Sequence, residues 1–548
     1  MNYDKLAELL FPHITKTPED YETIYPPRQL PAGAKVTRLG PSPTGFIHLG
    51  NLYGAFVDER LARQSGGIFY LRIEDTDDKR YVDGAVETII TSLDFFGIDF
   101  DEGAAIDGSN GDYGPYYQSQ RGEIYQCYVK ALVKKGQAYP CFLTEEEIAA
   151  IRQNQEQNKE NPGIYGEYAP CRGLILEEIE QNINAGKPYV IRLKSDGHQD
   201  PQKARTISIE DGIRGILSMP ENYQDVVILK ATGIPTYHFA HVVDDHLMRT
   251  THVVRGEEWI SSLPIHVELF EKLGFEMPIF CHTAQLMKLD NGNKRKLSKR
   301  KDPELSLDYY RQEGYMPQAV REYLLTVLNS NYEEWRQKNP DADAGEFPFQ
   351  VEKMSNSGAL FDLDKLNDVS KDVLVKIPAD QLCAFLKQWA GEFKPEILPL
   401  LEGHEDYIEK ILDLGRSGKK PRKDLVYGKQ IFQFIRYFFD DYFEIEDAYP
   451  ENASDDVKEI LSRYLETYDH SDDQSQWFDK IRAIGEELNY AARPKDYKKN
   501  PDQYKGHVGD VSTVIRIAVM GRSQSPDVWE IQQILGEERT KARLKAQL

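Results

Sequence analysis

The chain has 548 residues, and its 40% hydrophobic content is enough for packed cores in several domains. It has no apolar run of the roughly 18–20 residues that span a membrane, no N-terminal secretory signal and no disulfide framework among its five scattered cysteines, so we expect a protein of the reducing cytosol without membrane contact. The net charge of −23 argues by itself against nucleic-acid binding, because an acidic surface repels phosphate.

The first predicted unit of structure is a strand–loop–helix–strand arrangement. Residues 1–35 precede it and read as a short amphipathic helix followed by a Pro-rich linker. "AKVTRLG" predicts a strand, apolar positions 52, 56, 57 and 61 predict a helix that ends at Gly66, and "IFYLRIED" predicts a second strand. Such crossovers are right-handed and make the two strands parallel, so both strands end at the sheet edge where open α/β folds bind ligands.

The loop "PSPTGFIHLGN" (residues 41–51) follows the first predicted strand. We expect the next helix to start near Asn51 and to offer unpaired N–H groups to a phosphate. Gly45 and Gly50 allow close backbone approach, and His48 adds a donor. Glu74 follows the second strand at the same sheet edge. The phosphate-binding loop and this carboxylate together suit a molecule with both an anionic and a cationic group. A Gly/Pro turn with a capping histidine is the alternative interpretation.

The later part of the chain changes pattern twice. Residues 141–221 are polar, with short helices and one clear strand in "KPYVIRLK", which predicts an insertion. The sheet pattern resumes over residues 225–259, and beyond about residue 305 the pattern is mostly that of amphipathic helices.

Three runs are rich in Lys and Arg, at residues 293–301, 415–430 and 493–505. Each run alone is typical of a solvated surface loop. Three of them on a strongly acidic chain indicate a positive surface for one long polyanion.

Several motifs occur in an order that resembles one family. "PSPTGFIHLGN" resembles the HIGH signature of class I aminoacyl-tRNA synthetases, and "KLSKR" (residues 296–300) resembles their KMSKS signature. "TRLGPSPTG", "LRIEDTD", "GPYYQSQR", "PTYHFAHVVDD" and "VRGEEW" follow the order found in glutamyl-tRNA synthetases. The resemblance runs from about Val36 to the C-terminus.

The resemblance implies an α/β fold in which a doubly wound parallel-sheet (Rossmann-like) catalytic domain is split by an α+β insertion and followed by an all-helical anticodon-binding region. The implied segments are an N-terminal extension (1–35), the first half of the catalytic domain (36–140), an insertion that contacts the tRNA acceptor end (141–224), the second half of the catalytic domain (225–290), the KLSKR loop with a connecting helical domain (291–375) and the anticodon-binding region (376–548). The family activates L-glutamate with ATP and transfers it to tRNA(Glu).

For ATP, the resemblance implies two groups of side chains. His48, Lys296 and Lys299 are the implied catalytic residues, since positioned donors stabilise the charge that builds on the phosphoryl oxygens and on the leaving pyrophosphate. The implied ATP-binding residues are Thr44, Gly45, His48, Gly50, Asn51, Ser298 and Lys299. Mg²⁺ should accompany the nucleotide, and we expect no dedicated metal site.

For the amino acid, the resemblance implies three charged contacts. Arg38 takes a carboxylate, Glu74 takes the α-amino group, and Arg255 faces the side-chain carboxylate because an arginine fork binds a carboxylate bidentately. Tyr237 and Ser42 are implied as lesser contacts. The alternative for Arg255 is a surface ion pair with Glu257 or Glu258.

Three features depart from the family pattern. His241, which belongs to the implied glutamate-binding residues, stands where Asn is common, and Gly40 stands where Ala is usual. Some relatives hold zinc in the insertion with four ligands, but the matching positions here offer only Cys141 and Cys171, so we expect no zinc.

Two further hypotheses stay open at this point. One is an enzyme of neighbouring specificity: a glutaminyl-tRNA synthetase, whose motif is usually "PEPNG" rather than "PSPTG", or the shortened relative that glutamylates a modified tRNA base and lacks the helical C-terminal half. The other is a non-enzymatic tRNA-binding paralogue, against which His48 and "KLSKR" argue. We expect a monomeric cytosolic enzyme.

Overall fold

The computed structural model describes residues 1–77 and 82–548. These residues group into two units, one formed by residues 1–308 and 324–362 and the other by residues 309–323 and 363–548. We call them the first and the second unit. Among the described residues no helix is long and apolar enough to cross a membrane.

The strands of the described residues are β1 (Val36–Leu39), β2 (Ile68–Leu71), β3 (Glu102–Ala105), β4 (Gly108–Asn110), β5 (Ala138–Cys141), β6 (Val190–Leu193), β7 (Thr206–Asp211), β8 (Gly215–Pro220), β9 (Val227–Leu229), β10 (His252–Gly256), β11 (Ile279–Thr283), β12 (Leu286–Asp290), β13 (Asn293–Lys296) and β14 (Ala359–Leu360).

The α-helices are α1 (Tyr3–Leu10), α2 (Pro18–Ile24), α3 (Leu49–Ser65), α4 (Ala85–Phe95), α5 (Gly122–Lys134), α6 (Glu145–Gln157), α7 (Leu176–Asn184), α8 (Tyr237–Leu247), α9 (Leu263–Leu273), α10 (Leu307–Glu313), α11 (Pro317–Leu328), α12 (Tyr332–Lys338), α13 (Leu363–Leu374), α14 (Ala379–Phe393), α15 (Leu398–Glu402), α16 (Glu405–Asp413), α17 (Gly428–Ile435), α18 (Val457–Thr467), α19 (Gln474–Glu487), α20 (Pro494–Lys499), α21 (Val508–Met520), α22 (Val528–Leu535) and α23 (Glu537–Lys545).

Two mainly parallel sheets form the catalytic half of the first unit. One has the order β1-β2-β3-β4 and the other β10-β11-β7-β8, and only the β3–β4 and β7–β8 pairs are antiparallel. They meet where the Thr251 amide donates to the Val36 carbonyl at 2.9 Å. Successive strands lead away from this joint in opposite directions, so the predicted doubly wound sheet is confirmed, and the joint is its switch point.

The predicted insertion contributes to two sheets. Its strand β6 pairs antiparallel with β5 and β9, whereas its β7–β8 hairpin extends the catalytic sheet beside β11. Asp211 at the end of β7 thereby lies opposite Phe280 of β11. The predicted segment boundaries stay a prediction.

The N-terminal extension contains a second helix where the sequence predicted only a linker. Thr17 caps α2 and Pro18 occupies its first turn, a combination that favours a helix start. The extension contacts loops before and after the insertion: Tyr25 donates its hydroxyl hydrogen to the Gly114 carbonyl at 2.7 Å, and Arg28 donates to the Met248 carbonyl at 3.0 Å. We call residues 1–35 the N-terminal strap.

The second unit is helical, as predicted. Its helices are amphipathic and bury apolar side chains in one core that includes Trp389, Ile431, Tyr464 and Trp477. At its centre the Trp477 indole donates to Gln532 Oε1 at 2.9 Å, so a polar group in this core has a partner.

Candidate active site

A cavity of about 640 Å³ opens at the carboxyl ends of β1 and β10, where the two sheets meet. Ligands of open α/β folds bind in this position. The cavity is lined by ten of the residues singled out in the sequence, namely Arg38, Ser42, Thr44, His48, Gly50, Asn51, Glu74, Tyr237, Arg255 and Lys296. We call it the crevice.

His48 is the N-cap of α3 and faces the crevice. Its Nδ1 accepts the Asn51 amide hydrogen at 3.2 Å, while Asn51 Oδ1 accepts the His48 amide hydrogen at 3.0 Å. Since Nδ1 is an acceptor, neutral His48 carries its hydrogen on Nε2 and can donate it to a ligand. Burial and the nearby Lys299 and Lys296 lower the pKa of His48, which favours this neutral form.

The helix α3 begins at Leu49, two residues before Asn51 and so near the predicted start. The Asn51 amide is already bonded to His48. The Leu49 amide faces the Leu305 carbonyl in the antiparallel bridge between His48 and Ser306, whereas the Gly50 amide makes no hydrogen bond among the described residues. Gly50 also makes room for the cap, because a Cβ there would lie 3.0 Å from the His48 ring. The phosphate-type donors are therefore the Gly50 amide, His48 Nε2 and the helix dipole.

Arg38 and Glu74 enter the crevice from a buried ionic network. Arg38 Nε lies 3.2 Å from Asp245 Oδ1, and Arg72 bridges Asp245 at 2.6 Å and Glu74 Oε1 at 3.0 Å. Burial raises the pKa of Glu74, although the two arginines oppose this. A cationic ligand group at Glu74 would stabilise its ionised form.

Tyr237 lines the crevice, and His241 lies outside its lining. The Tyr237 ring stacks on the His241 ring at 5.7 Å with an interplanar angle of 8°, and its centre lies 4.5 Å from that of the Trp259 ring, which is tilted by 37°. His241 is fully buried with Nδ1 2.5 Å from Asp245 Oδ2. Where the family commonly has Asn, His241 thus contacts the network below Tyr237.

Arg255 is buried in the crevice wall, as we expect of a residue that selects the substrate. The alternative interpretation, a surface ion pair with Glu257 or Glu258, is therefore wrong. Arg255 is 8% exposed, and among the described residues no carboxylate lies within ion-pair distance of it. Glu257, one of the two proposed surface partners, pairs instead with Arg214 at 2.5 Å.

The KLSKR loop (residues 296–300) begins at the last residue of β13, and hydrogen bonds to Asp302 hold it in place. Asp302 accepts from Arg295 at 2.6 and 2.8 Å and from the Ser298 amide at 2.8 Å. The hydrogen bonds from Arg295 lower the pKa of Asp302 to about 2, although burial opposes this. The loop keeps Lys296 in the crevice wall, while Lys299 Nζ lies 3.4 Å above the centre of the Phe46 ring.

Four predicted residues lie outside the crevice lining: Gly45, Ser298, Lys299 and His241. Gly45 adopts a left-handed backbone conformation with φ of 71°, so it shapes the turn. Sequence reasoning also missed residues of the lining, among them Lys230, Gln285 and Asp58. Asp58 is fully buried, and burial raises its pKa well above the usual range. The sequence around Asp58 predicts only a helix and does not indicate a buried carboxyl group.

The two cysteines that match the family's zinc positions lie at the end of β5 and after α6. Cys141 is buried and Cys171 is partly buried. No group of three or more His, Cys, Asp or Glu side chains in residues 1–77 and 82–548 is arranged to hold a metal ion.

Two protein families match this chain. Residues 35–368 match tRNA synthetases class I (E and Q), catalytic domain, and residues 381–548 match the anticodon binding domain. The chain therefore belongs to the class I tRNA synthetases of the E and Q group.

Within that group, the similar proteins are glutamate–tRNA ligases. The one from Acetivibrio thermocellus is 65% identical over 547 residues, which is 100% of both chains, and the one from Clostridium perfringens strain SM101 is 49% identical over 100% of this chain and 99% of its own. A crystal structure of a glutamate tRNA ligase from Elizabethkingia meningosepticum in complex with its amino acid is 28% identical and superimposes with a TM-score of 0.74, covering 93% of this chain and 98% of that chain.

Proposed function

We propose that this chain is a glutamate–tRNA ligase. It joins the α-carboxylate of L-glutamate to the α-phosphate of ATP with release of pyrophosphate, and then transfers the glutamyl group to the 3′ end of tRNA(Glu). The observation that carries this proposal is one crevice that holds His48 and Lys296 beside Arg38, Glu74 and Arg255. The full-length similarity to proteins of that name supports it.

The crevice has a charge of the right sign for each group of glutamate. Glu74 binds the α-ammonium, Arg38 a carboxylate at the same end, and Arg255 the side-chain carboxylate. Tyr237 and Ser42 complete the wall. His241 acts on glutamate only through Tyr237, because its ring stacks on that residue.

ATP lies along the start of α3. His48 Nε2, the Gly50 amide and the helix dipole stabilise the charge on the α-phosphate. Thr44 and Asn51 line the nucleotide, and Gly45 and Ser298 shape the two loops that enclose it. Lys296 and Lys299 neutralise the departing pyrophosphate, for which Lys299 leaves the Phe46 ring. Mg²⁺ enters with ATP as part of the substrate.

The exposed lysines of the second unit bind the tRNA backbone. Arg416 and Arg422 of the run 415–430 are partly buried, and Arg416 donates to the Ile377 carbonyl at 2.6 Å. Lys419 and Lys420 of the same run, like Lys495, Lys498 and Lys499 of the run 493–505, are exposed and make no ion pair among the described residues. Phosphate contacts of this kind position tRNA without reading its sequence.

The protein works without zinc, as a monomer, in the cytosol where its tRNA substrate is found. Structural zinc requires four ligands, and the two candidate cysteines do not supply them. Stoichiometric zinc in chelator-washed protein, measured by elemental analysis, would contradict this, as would a dimer mass in light scattering.

ATP–pyrophosphate exchange with the purified protein tests the function. We expect exchange that depends on glutamate, far less with glutamine, and charging of tRNA(Glu) with radiolabelled glutamate. The exchange is measured with and without tRNA(Glu), so that a requirement for tRNA is not mistaken for inactivity. Exchange that prefers glutamine would indicate the neighbouring specificity, and tRNA binding without exchange would indicate a non-enzymatic paralogue.

A further inference from the structure

Arg255 is held in the crevice wall by two histidines. Its Nε donates to Nε2 of His282 at 3.0 Å, and its Nη1 donates to Nδ1 of His266 at 3.2 Å. The third nitrogen, Nη2, is buried and makes no hydrogen bond among the described residues. Two nitrogens are thus fixed by histidines, and the Tyr237 hydroxyl, which is neutral like the two rings, interacts with the same guanidinium group. No carboxylate of the protein occupies the remaining position among the described residues, so a ligand carboxylate can approach it.

The sheet itself aligns the first histidine. Arg255 and His282 are register partners on the parallel strands β10 and β11, and Asp211 ends the next strand, β7. His282 Nδ1 lies 2.6 Å from Asp211 Oδ2. Because the Arg255 Nε–H can only donate, His282 Nε2 must accept, so the ring hydrogen is on Nδ1 and is donated to Asp211. His282 is therefore neutral.

The second histidine is neutral for the same reason. His266 Nδ1 accepts from Arg255, so its hydrogen is on Nε2, which lies 2.9 Å from His238 Nδ1. Both His266 and His282 are fully buried, and burial lowers the pKa of each ring. Arg255 is bound by two neutral acceptors, each with a partner of its own.

Two neutral acceptors orient a guanidinium group without cancelling its charge. A carboxylate in either position would form an internal ion pair, and the positive charge would then be satisfied before any ligand arrived. Burying an unpaired charge costs free energy, and the side-chain carboxylate of a ligand recovers it. A neutral amide at the same place recovers much less.

We propose that His282 and His266 are positioning residues that hold Arg255 oriented but not neutralised, and that this arrangement makes the enzyme prefer glutamate to glutamine. The inference rests on the proposed function. Asp211 fixes the tautomer of His282, so it belongs to the same arrangement although it lies 44 residues before Arg255 in the chain.

Two variants of His266 separate the effect of a negative charge beside Arg255 from the effect of losing the imidazole ring. His266→Asn and His266→Asp place an oxygen near the former Nδ1 and lose the same bond to His238, but only the second adds a negative charge. We expect the glutamate KM of His266→Asp to exceed that of His266→Asn by about 10-fold or more, since a hydrogen bond to a charged group has about that value. The preference for glutamate over glutamine should fall in the Asp variant alone.

A second pair at His282 tests orientation. His282→Gln keeps an acceptor near the position of Nε2, whereas His282→Leu removes it. We expect His282→Leu to raise the glutamate KM about 10-fold with kcat and the ATP KM changed little, and His282→Gln to restore most of the affinity. His252→Gln on the same strand as Arg255 is the matched control, because His252 lies outside the crevice lining. Urea midpoints of all five variants show whether each one folds.

The outcomes separate this inference from the proposed function. If the parent protein shows no glutamate-dependent exchange either with or without tRNA(Glu), the proposed function fails, and the inference that rests on it fails with it. If the parent is active but the Asp and Asn variants share one glutamate KM and one glutamine ratio, the charge argument is wrong. If folded His282→Leu and His282→Gln have the same glutamate KM, the orientation argument is wrong.

Discussion

The Nδ1 atom of His48 accepts the amide hydrogen of Asn51 at 3.2 Å, so the histidine caps the helix that carries it toward the crevice. The cap decides which ring nitrogen holds the hydrogen, and it leaves Nε2 as a donor. One side chain thus combines a structural contact on Nδ1 with a proposed catalytic contact on Nε2. The two contacts can be separated, because asparagine is among the best N-cap residues but has no atom at the position of Nε2.

Replacing His48 by Asn should keep the fold and remove the donor. We expect His48→Asn to unfold in urea at nearly the parental midpoint and to lose about 100-fold or more in the rate of ATP–pyrophosphate exchange, the usual effect of removing one preorganised donor. His48→Ala is the control, since it loses both contacts and should lose stability as well. Parental exchange in His48→Asn would show that Nε2 has no part in activation.

Lys299→Ala should lower kcat for activation by about 100-fold or more while leaving the KM for glutamate nearly unchanged. The reason is that Lys299 lies over Phe46 and outside the crevice lining, so we expect it to meet charge only as pyrophosphate departs. Lys294→Ala, an exposed lysine on the neighbouring β13, is the control for loss of positive charge. Equal exchange rates in the two variants would remove Lys299 from the mechanism.

Arg255 and Arg38 should differ in selectivity. Arg255→Ala loses the contact to the side-chain carboxylate, so its glutamate KM should rise about 10- to 100-fold and its preference over glutamine should shrink. Arg38→Ala should impair both amino acids alike, because both carry an α-carboxylate. Loss of Arg38 also removes one of the two arginine partners of Asp245, although Arg72 remains at 2.6 Å. The stability of the Arg38→Ala protein is therefore measured in parallel. An Arg255→Ala enzyme as selective as the parent would place discrimination elsewhere.

His252 should make the first unit less stable in mild acid. Burial and then the nearby Lys35 lower the pKa of His252 to about 4 from an ordinary value of 6.5. Between these two values the unfolded chain binds a proton that the folded chain does not, so stability falls as the pH decreases. The effect reaches about 2 kcal/mol at pH 5. We expect the urea midpoint of His252→Gln, relative to the parent, to be higher at pH 5 than at pH 7. An unchanged difference would contradict the depressed pKa.

Lys419 and Lys420 should contribute to tRNA affinity only. In the double variant Lys419→Gln and Lys420→Gln we expect a higher KM for tRNA(Glu) and a weaker dependence of binding on salt, because two phosphate contacts are lost. The KM values for ATP and glutamate should stay parental. Lys410→Gln, at an exposed position on α16 of the same unit, is the control. Equal tRNA affinity in both variants would exclude this loop from the tRNA surface.

Much of the fold could be predicted because it depends on local pattern. Apolar strands flanking an amphipathic helix indicated the parallel pair β1 and β2, and the structure confirms their pairing from Val36 to Leu39. The ordered motifs indicated the crevice, and ten predicted residues line it. Their proposed roles stay a prediction.

What could not be predicted depends on long-range register. Nothing near His282 in the sequence indicates that Asp211 will lie beside it, since that contact requires the β7–β8 hairpin to join β11. The second strap helix was missed because "PPR" and "LPAG" farther on made the whole segment resemble a linker. Within the region beyond residue 305, where amphipathic helices were predicted, the apolar stretch "VYGKQIFQFIRYFFDDYF" forms a helix only over Gly428–Ile435, and 3₁₀ turns follow it.

The N-terminal strap also affects how the chain folds during synthesis. Arg28 and Tyr25 bond to the backbone of Met248 and to the side chain of Arg249, positions 220 and 224 residues later. At about 5–20 residues per second, a ribosome needs on the order of 10–40 s to make the intervening chain. Throughout that interval the strap has been synthesised, but the residues Met248 and Arg249 that it contacts have not. The joint between the two sheets can close only after the second half has emerged, so the strap is made before the residues that it contacts and is among the last segments to settle.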